Sequence, residues 1–380
     1  MHRLRRHRYD QICRAGNSSR APHPNVLLAE TRSTSANSGS VMNATQQNRL
    51  FLGIDLGGTN IKAGVVNDDG VPLGFSSVPT ESQHGPDHGI SQMVLAAHRA
   101  LQTAGATREQ LTAVGLASPG TMDIPSGMLL EPTNLPGWNQ FPIRARIAHA
   151  LQLPTILQND ANAAAYGEYW AGQAKHAQSL AFYTLGTGLG GGLIVDDHII
   201  EGRHSHGGEL GHVILEMHDG RYCNTGQYGT AEAYVSATAL LRRFNEQLEA
   251  GAVTSVSRRL QSGQTLTPLL IAEEAEHGDH LSLELIMEMA QYLGATITSC
   301  AHVIDPEMVL LGGAMTFGRD TTLVGREFMQ RVRQEFRTRT FPTLAEKITI
   351  DWASLGGDAG FIGAAGCARL AFNKGRLPQD

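Results

Sequence analysis

The apolar positions of residues 51–66 form two runs separated by a single polar break. Phe51, Leu52, Ile54 and Leu56 favour a strand, Gly57-Gly58 forces a tight turn, and Ile61, Ala63, Val65 and Val66 resume the apolar run, so a hairpin is predicted. Residues 71–79 predict a third strand. Over 89–104 the spacing changes to 3.6 residues through Ile90, Met93, Val94, Ala97 and Leu101, which predicts a helix, and 111–117 predict a buried strand. A short helix at 143–150 and a strand at 154–157 lead to Gln158-Asn159-Asp160. The alanine-rich run that follows favours a helix with Asp160 at or near its N-cap. A second hairpin is predicted over 179–195, turning at Leu185-Gly186-Thr187-Gly188. Further on, helical faces recur at 233–248, 267–276 and 281–301, with 258–264 as a mobile link. A short buried strand at 308–311 ends in Gly312-Gly313. A helix at 322–336, a strand at 348–352 and a small-residue helix to Leu370 complete the chain.

Strands interleaved with helices make an α/β protein with mixed sheets under helical cover. Two hairpins that each turn on glycines after an apolar strand suggest duplicated halves clasping one nucleotide. Neither has the spacing of a dinucleotide-binding fingerprint or a Walker loop. The expected organisation is a disordered tail over 1–48, a smaller α/β domain over 49–168 with the helix at 358–372 packing on it, and a larger α/β domain over 169–357.

Composition adds the tail and the compartment. The chain has 380 residues and a formal charge of −6, but residues 1–49 hold eight Arg against Asp10 and Glu30, a local +6 that leaves −12 for the remainder. An acidic body argues against nucleic acid as a partner. The tail is rich in Arg, Ser, Asn and Thr, like a transit peptide in composition only, and Met42 offers an alternative start. Four scattered cysteines and no apolar run of membrane-spanning length point to a reducing cytoplasm and no membrane partner.

The candidate chemistry gathers at the strand ends. Backbone N–H groups at Gly57 and Gly58, with donors from Thr59, Asn60 and Lys62, suit a phosphate, and Asp55 can hold Mg²⁺ through water. Gly186, Thr187 and Gly188 repeat that arrangement, and Gly312-Gly313 permits close passage of an adenine or ribose. Asp160 can project a carboxylate into a cleft as a general base as well as cap a helix. Glu209 and His212, three residues apart, would share a helical face and offer an acceptor and a donor to a polyol. Asn134 and Trp138 lie in a Pro/Gly loop, where they either meet a ligand or make an Asx-turn and fill the core.

These residues together resemble the ROK family of sugar kinases and related repressors. The likeness is carried by Ile54-Asp55-Leu56-Gly57-Gly58-Thr59-Asn60-Ile61-Lys62, Asn159-Asp160-Ala161-Asn162-Ala163, Leu185-Gly186-Thr187-Gly188, Gly208-Glu209-Leu210-Gly211-His212, Glu232-Ala233-Tyr234 and Leu311-Gly312-Gly313-Ala314. The resemblance implies a two-domain actin-like ATPase (ribonuclease H-like) fold with the site in the cleft between domains. It also implies ATP and Mg²⁺ at the Gly57 and Gly186 turns, Gly312-Gly313 beside the adenosine, and Asp160 as the base. Asn134, Asn159, Glu209, His212 and Glu232 would hold the sugar. The implied activity is phosphoryl transfer to a hexose 6-hydroxyl, glucose foremost. N-acetylglucosamine, N-acetylmannosamine and fructose are other candidate substrates, and a sugar-responsive repressor is the alternative class. By resemblance alone, a dimer at least is expected. One departure stands out: family members carry a structural zinc on the histidine at His212 and three cysteines, of which only Cys223 is kept, with Thr225 and Thr230 in the other places. Neutral hydroxyls are poor zinc ligands, so no zinc is expected and packing and hydrogen bonds must hold that loop.

Overall fold

A computed structural model describes residues 49–132 and 135–378. The tail expected over 1–48 and the proposed ligand Asn134 therefore lie outside the described residues. In chain order the first elements are β1 (Leu50–Leu56), β2 (Asn60–Asn67), β3 (Pro72–Pro79), α1 (Pro86–Ala104), β4 (Leu111–Ser118), β5 (Thr121–Asp123), β6 (Met128–Glu131), α2 (Ile143–Leu151), β7 (Thr155–Asn159) and α3 (Asp160–Trp170). Then follow β8 (Ser179–Leu185), β9 (Leu189–Val195), β10 (His198–Ile199), α4 (Ala237–Glu249), α5 (Val256–Gln261), α6 (Pro268–Glu276) and α7 (His280–Ile304). The chain closes with β11 (Met308–Gly313), α8 (Leu323–Arg339), α9 (Pro342–Lys347), β12 (Thr349–Trp352) and α10 (Ala359–Asn373).

Two five-stranded sheets share one plan. The first runs β3-β2-β1-β4-β7 and the second β10-β9-β8-β11-β12. In each, a three-strand antiparallel meander is followed by two strands parallel to its first. The repeated glycine hairpin read in the sequence is thus the start of each sheet. Buried apolar residues of β1, β2, β4, α1 and α2 form one core, in which Trp138 is fully enclosed. The outer face of the second sheet packs with α4, α6, α7 and α8 into a larger one.

Between the sheets lie α3 and α10, and glycines set how closely they approach. A Cβ on Gly363 of α10 would fall 1.6 Å from the Ala163 carbonyl oxygen of α3, and one on Gly167 would fall 2.6 Å from that of Ala359. On the sheet side, Cβ atoms at Gly53 and Gly115 would each stand 1.8 Å from a carbonyl oxygen of α10, those of Phe361 and Ala364. Backbone against backbone is possible only without side chains. The helix entry is fixed as well: buried Glu168 near the end of α3 accepts from Leu355 N (2.6 Å), Ser354 Oγ (3.0 Å) and Gln173 N (3.0 Å).

Some expectations need correction. Residues 258–264 are not a mobile link but overlap helix α5, where Arg259 bonds Gln264 (2.8 Å) and Glu274 (2.7 Å) and pins the segment to α6. The helix expected from Ala233 begins at Ala237. One 3-10 turn precedes it, and Ser236 caps it by accepting from Ala239 N. Asp160 does stand beside the cap of α3, as its first residue; the cap itself is Asn159, its Oδ1 accepting from Ala161 N (3.0 Å) and Asn162 N (3.2 Å). Trp138 fills the core, as one of its two readings held. The hairpin β5–β6 and helix α9 went unread.

Since no atom larger than hydrogen fits between Gly363 of α10 and the Ala163 carbonyl of α3, Gly363→Val should lower stability by about 3 kcal/mol. Urea unfolding followed by circular dichroism checks this, and an unchanged midpoint would contradict the packing.

Candidate active site

Parallel strands in each sheet deliver their C-terminal ends to one region. In the first sheet Asp55 pairs with Ala117 and Ser118 with Asn159, so the ends of β1, β4 and β7 lie side by side. In the second, Gly313 pairs with Leu185, and a Cβ on Gly313 would lie 2.3 Å from the Leu185 carbonyl oxygen. Its φ of 92° adds a second reason for glycine there. A cleft of about 750 Å³ opens at these ends, within the range of small-molecule sites. Asn159, Asp160, Gly186, Thr187, Gly188, Glu209, His212 and Glu232, all singled out from the sequence, line it together.

Asp160 opens α3, where the positive end of the helix dipole meets its carboxylate. Oδ1 accepts the Ala161 N–H at 2.8 Å. Burial is the main force raising its pKa, to about 7; the negative charge of Asp55 raises it further, the Ala161 N–H opposes, and Glu209 adds to the rise. Asp55 is raised by burial to about 6, with Lys62 pulling the other way. Lys62 faces Asp55 across the β1–β2 pair and donates to the Gly357 carbonyl, while a Cβ on Gly360 would fall 2.2 Å from Asp55 Oδ2. The start of α10 therefore closes over Asp55 and Lys62.

Neither the Gly57 turn nor Asp55 and Lys62 line the cleft; Asp55 acts on it only through its charge beside Asp160. The frame of the turn is firm: Gly57 N donates to Asn60 O (3.0 Å), and Thr80 donates from its hydroxyl to Gly57 O (2.6 Å) and from its N–H to Thr59 O (2.9 Å). Gly58, Thr59 and Asn60 are exposed. The Gly186 turn is anchored on α4, with Ala237 N donating to Gly186 O (2.9 Å) and the Thr238 hydroxyl to Thr187 O (2.9 Å). Gly312 and Gly313 also stand outside the cleft lining, beside the end of β8.

Glu209 and His212 bracket a single 3-10 turn rather than an α-helix. Glu209 Oε2 and His212 Nε2 are still 4.0 Å apart, as their spacing predicts. Glu232 is buried and braces the second glycine turn: Oε2 accepts from Leu189 N (3.0 Å) and Oε1 from Asn224 N (3.3 Å). A Cβ on Gly188 would stand 2.3 Å from Glu232 Oε2, which ties the glycine to the acid. Asn159 has committed its oxygen to the cap and keeps its amide N–H₂ for a ligand. Thr121, Glu131, His206, Thr225 and Gln227 also line the cleft and were not singled out for a ligand. Thr121 and Glu131 ride on the unread β5–β6 hairpin, whose loop is tied across to the second half by Ile124 N donating to Ser205 Oγ (3.0 Å); only a correct reading of that hairpin could have found them.

The donor set around Cys223 does not fit the family's zinc. Cys223 Sγ lies 3.1 Å from Thr225 Oγ1 and 3.4 Å from Gln227 Oε1, and Thr225 in turn bonds Gln227. Its N–H donates to Gln227 O at 2.8 Å. One thiol, one imidazole and neutral hydroxyls do not make a closed tetrahedral site. Here a thiol–hydroxyl–amide network occupies the loop.

The model of the ROK family matches residues 51–370. A glucokinase of Halalkalibacterium halodurans is 30% identical over 315 residues, 83% of this chain and 93% of its own length. Among solved structures, the ROK hexokinase from Thermus thermophilus superimposes with a TM-score of 0.73 at 30% identity, over 86% of this chain and 99% of that one. A ROK family glucokinase from Streptomyces griseus, solved in complex with glucose and AMPPNP, gives a TM-score of 0.69 at 31% identity, over 84% and 99%. The two mixed sheets with their flanking helices are the fold of those kinases, and the chain belongs to the ROK family.

Proposed function

We propose that the protein is an ATP-dependent hexose kinase that transfers the γ-phosphoryl group to the 6-hydroxyl of its sugar, glucose foremost. One observation carries the reading: the Asp160 carboxylate shares a cleft with a phosphate-sized glycine turn on one side and the Glu209–His212 pair on another. The names of the relatives agree with it, as does the glucose and AMPPNP held by the S. griseus enzyme.

In this reading the backbone at Gly57–Thr59 and Gly186–Gly188, with Asn60 and Lys62, holds the phosphates, and Gly312-Gly313 passes beside the adenosine. Mg²⁺, when bound, neutralises phosphate charge, and Asp55 would hold it through water. Glu209, His212 and the Asn159 amide grip sugar hydroxyls, with Asn134 from its loop, and Glu232 keeps the second turn in shape. Asp160 accepts the proton of the 6-hydroxyl as that oxygen bonds to the γ-phosphorus and the bond from the γ-phosphorus to the bridging oxygen breaks. Positioning and charge neutralisation do most of the work of phosphoryl transfer, so one carboxylate suffices as base.

Asp160→Asn removes the base and should lower kcat by about 10²–10⁴-fold with ATP binding nearly intact. It should also raise the melting temperature at pH 8. A carboxyl whose folded pKa lies above its unfolded value stabilises fully below the unfolded value and loses that contribution as pH rises through the folded one, so the cost builds from about pH 4 to about pH 7 and the neutral amide is free of it at pH 8. Steady-state kinetics and thermal melts check both; activity within a few-fold of wild type would refute the role.

Because the base must be ionised, kcat/KM for the sugar should fall tenfold per pH unit below a midpoint near 7. A profile flat from pH 8 down to pH 5 would contradict an Asp160 raised by burial and by Asp55.

A further inference from the structure

Away from the cleft, Glu81, His84 and His88 have no part in the reaction above. Each offers one ligand atom, and the three atoms lie within 4.8 Å of one another. Glu81 Oε2 is 2.7 Å from His88 Nε2 and 3.9 Å from His84 Nδ1, and the two imidazoles meet edge to face at 5.0 Å between centroids. We propose that these three side chains form a binding site for one divalent transition-metal ion, Zn²⁺ foremost.

The distances suit such an ion. Ligand atoms around a tetrahedral Zn²⁺ with bonds of about 2.0–2.2 Å stand about 3.3–3.6 Å apart. The 2.7 Å separation must therefore open by about 0.6–0.9 Å and the 3.9 Å one close by about 0.3–0.6 Å, while the two imidazole nitrogens, within 4.8 Å of each other, draw to the same spacing. Side-chain rotation supplies that, since all three groups are partly exposed. Two imidazoles and a carboxylate are borderline donors that favour Zn²⁺ or Co²⁺ over Mg²⁺, which sets this site apart from the metal of a nucleotide. An ordinary surface ion pair needs a single histidine. Here a second ring turns its Nδ1 toward the same carboxylate.

The backbone holds the cluster together. Glu81 adopts φ 49° and ψ 47°, a left-handed conformation uncommon for this residue, and a one-turn 3-10 helix over Ser82–His84 then leads through Gly85 into α1. Gln92 Nε2 donates to Pro79 O at 3.0 Å and lies 3.4 Å from Glu81 Oε2. Thr80, next to Glu81, carries the two bonds that frame the Gly57 turn. A bound ion would therefore join the start of α1 to the segment that holds that turn.

The test uses the full chain freed of metal with a chelator and kept free of nucleotide. Co²⁺ is titrated while visible d–d absorption is followed, and Zn²⁺ is titrated by calorimetry, for wild type, Cys223→Ser and His84→Ala/His88→Ala. The double variant should bind one ion fewer per chain than wild type, and Cys223→Ser should match wild type. Zn²⁺ should raise the melting temperature of wild type, but not of the double variant, by a few degrees. Should the double variant fold poorly, His84→Gln, at an exposed position, should alone weaken Zn²⁺ binding at least tenfold. Equal stoichiometry and affinity in wild type and double variant, or unchanged affinity in His84→Gln, would overturn the site.

Discussion

The structure depends on the contact between two helices that meet backbone to backbone at glycines. Gly363 sits against the Ala163 carbonyl, Gly167 against the start of α10, and Gly53 and Gly115 of the first sheet against the other face of α10. On the far side, α3 packs on the second sheet at Gly192, where a Cβ would fall 2.7 Å from that of Ala165. A pair of helices packed this tightly acts as a stiff spacer, because interiors at crystal-like density transmit displacement rather than absorb it. The relative placement of the two sheets' strand ends is thereby set by backbone contacts. Residues far apart in sequence, Asp55, Asp160 and Gly186, owe their common neighbourhood to it.

Electrostatics at those strand ends follow from the same placement. Behind the larger effect of its own burial, the negative charges of Asp55 and Glu209 make ionisation of Asp160 harder. Such crowding would be a liability in a purely structural cluster. In the proposed reaction, beside a polyphosphate, its metal and a hydroxyl that must lose a proton, it would provide a base whose proton affinity is matched to neutral pH. The helix start at Asp160 and the Ala161 N–H temper the effect and keep the carboxylate able to ionise. Glu232 shows a different use of acid: with both oxygens receiving backbone N–H groups, it shapes the Gly188 turn from beneath.

Much of this was legible in the chain. Both hairpins could be read because a strong apolar period breaks only at glycines, and α1, α6, α7 and α8 because their 3.6-residue faces are long. Asp160 and the Gly186 turn were legible for a related reason, since each follows the end of a predicted strand, whereas Glu232 came only from the family resemblance. The hairpin β5–β6 escaped because strands of three and four residues carry too little period to register, and with it went Thr121 and Glu131. Helix α5 was misread because its order comes from Arg259 pairing with α6, a tertiary contact with no local signal. Whether Asp160 stands on the α3 cap or next to it was left open by the sequence. Asn and Asp are equally good cap formers, and only the register of β7 against β4 decides which one stands at the boundary.

In the proposed reaction one cleft brings a nucleotide's terminal phosphate to a sugar hydroxyl poised beside Asp160. Phosphorus NMR of purified protein with MgATP and glucose tests this most directly. A hexose 6-phosphate monoester signal growing in step with ADP is the predicted result. Release of ADP with inorganic phosphate alone, or no nucleotide turnover with any hexose or acetylated hexosamine, would contradict it.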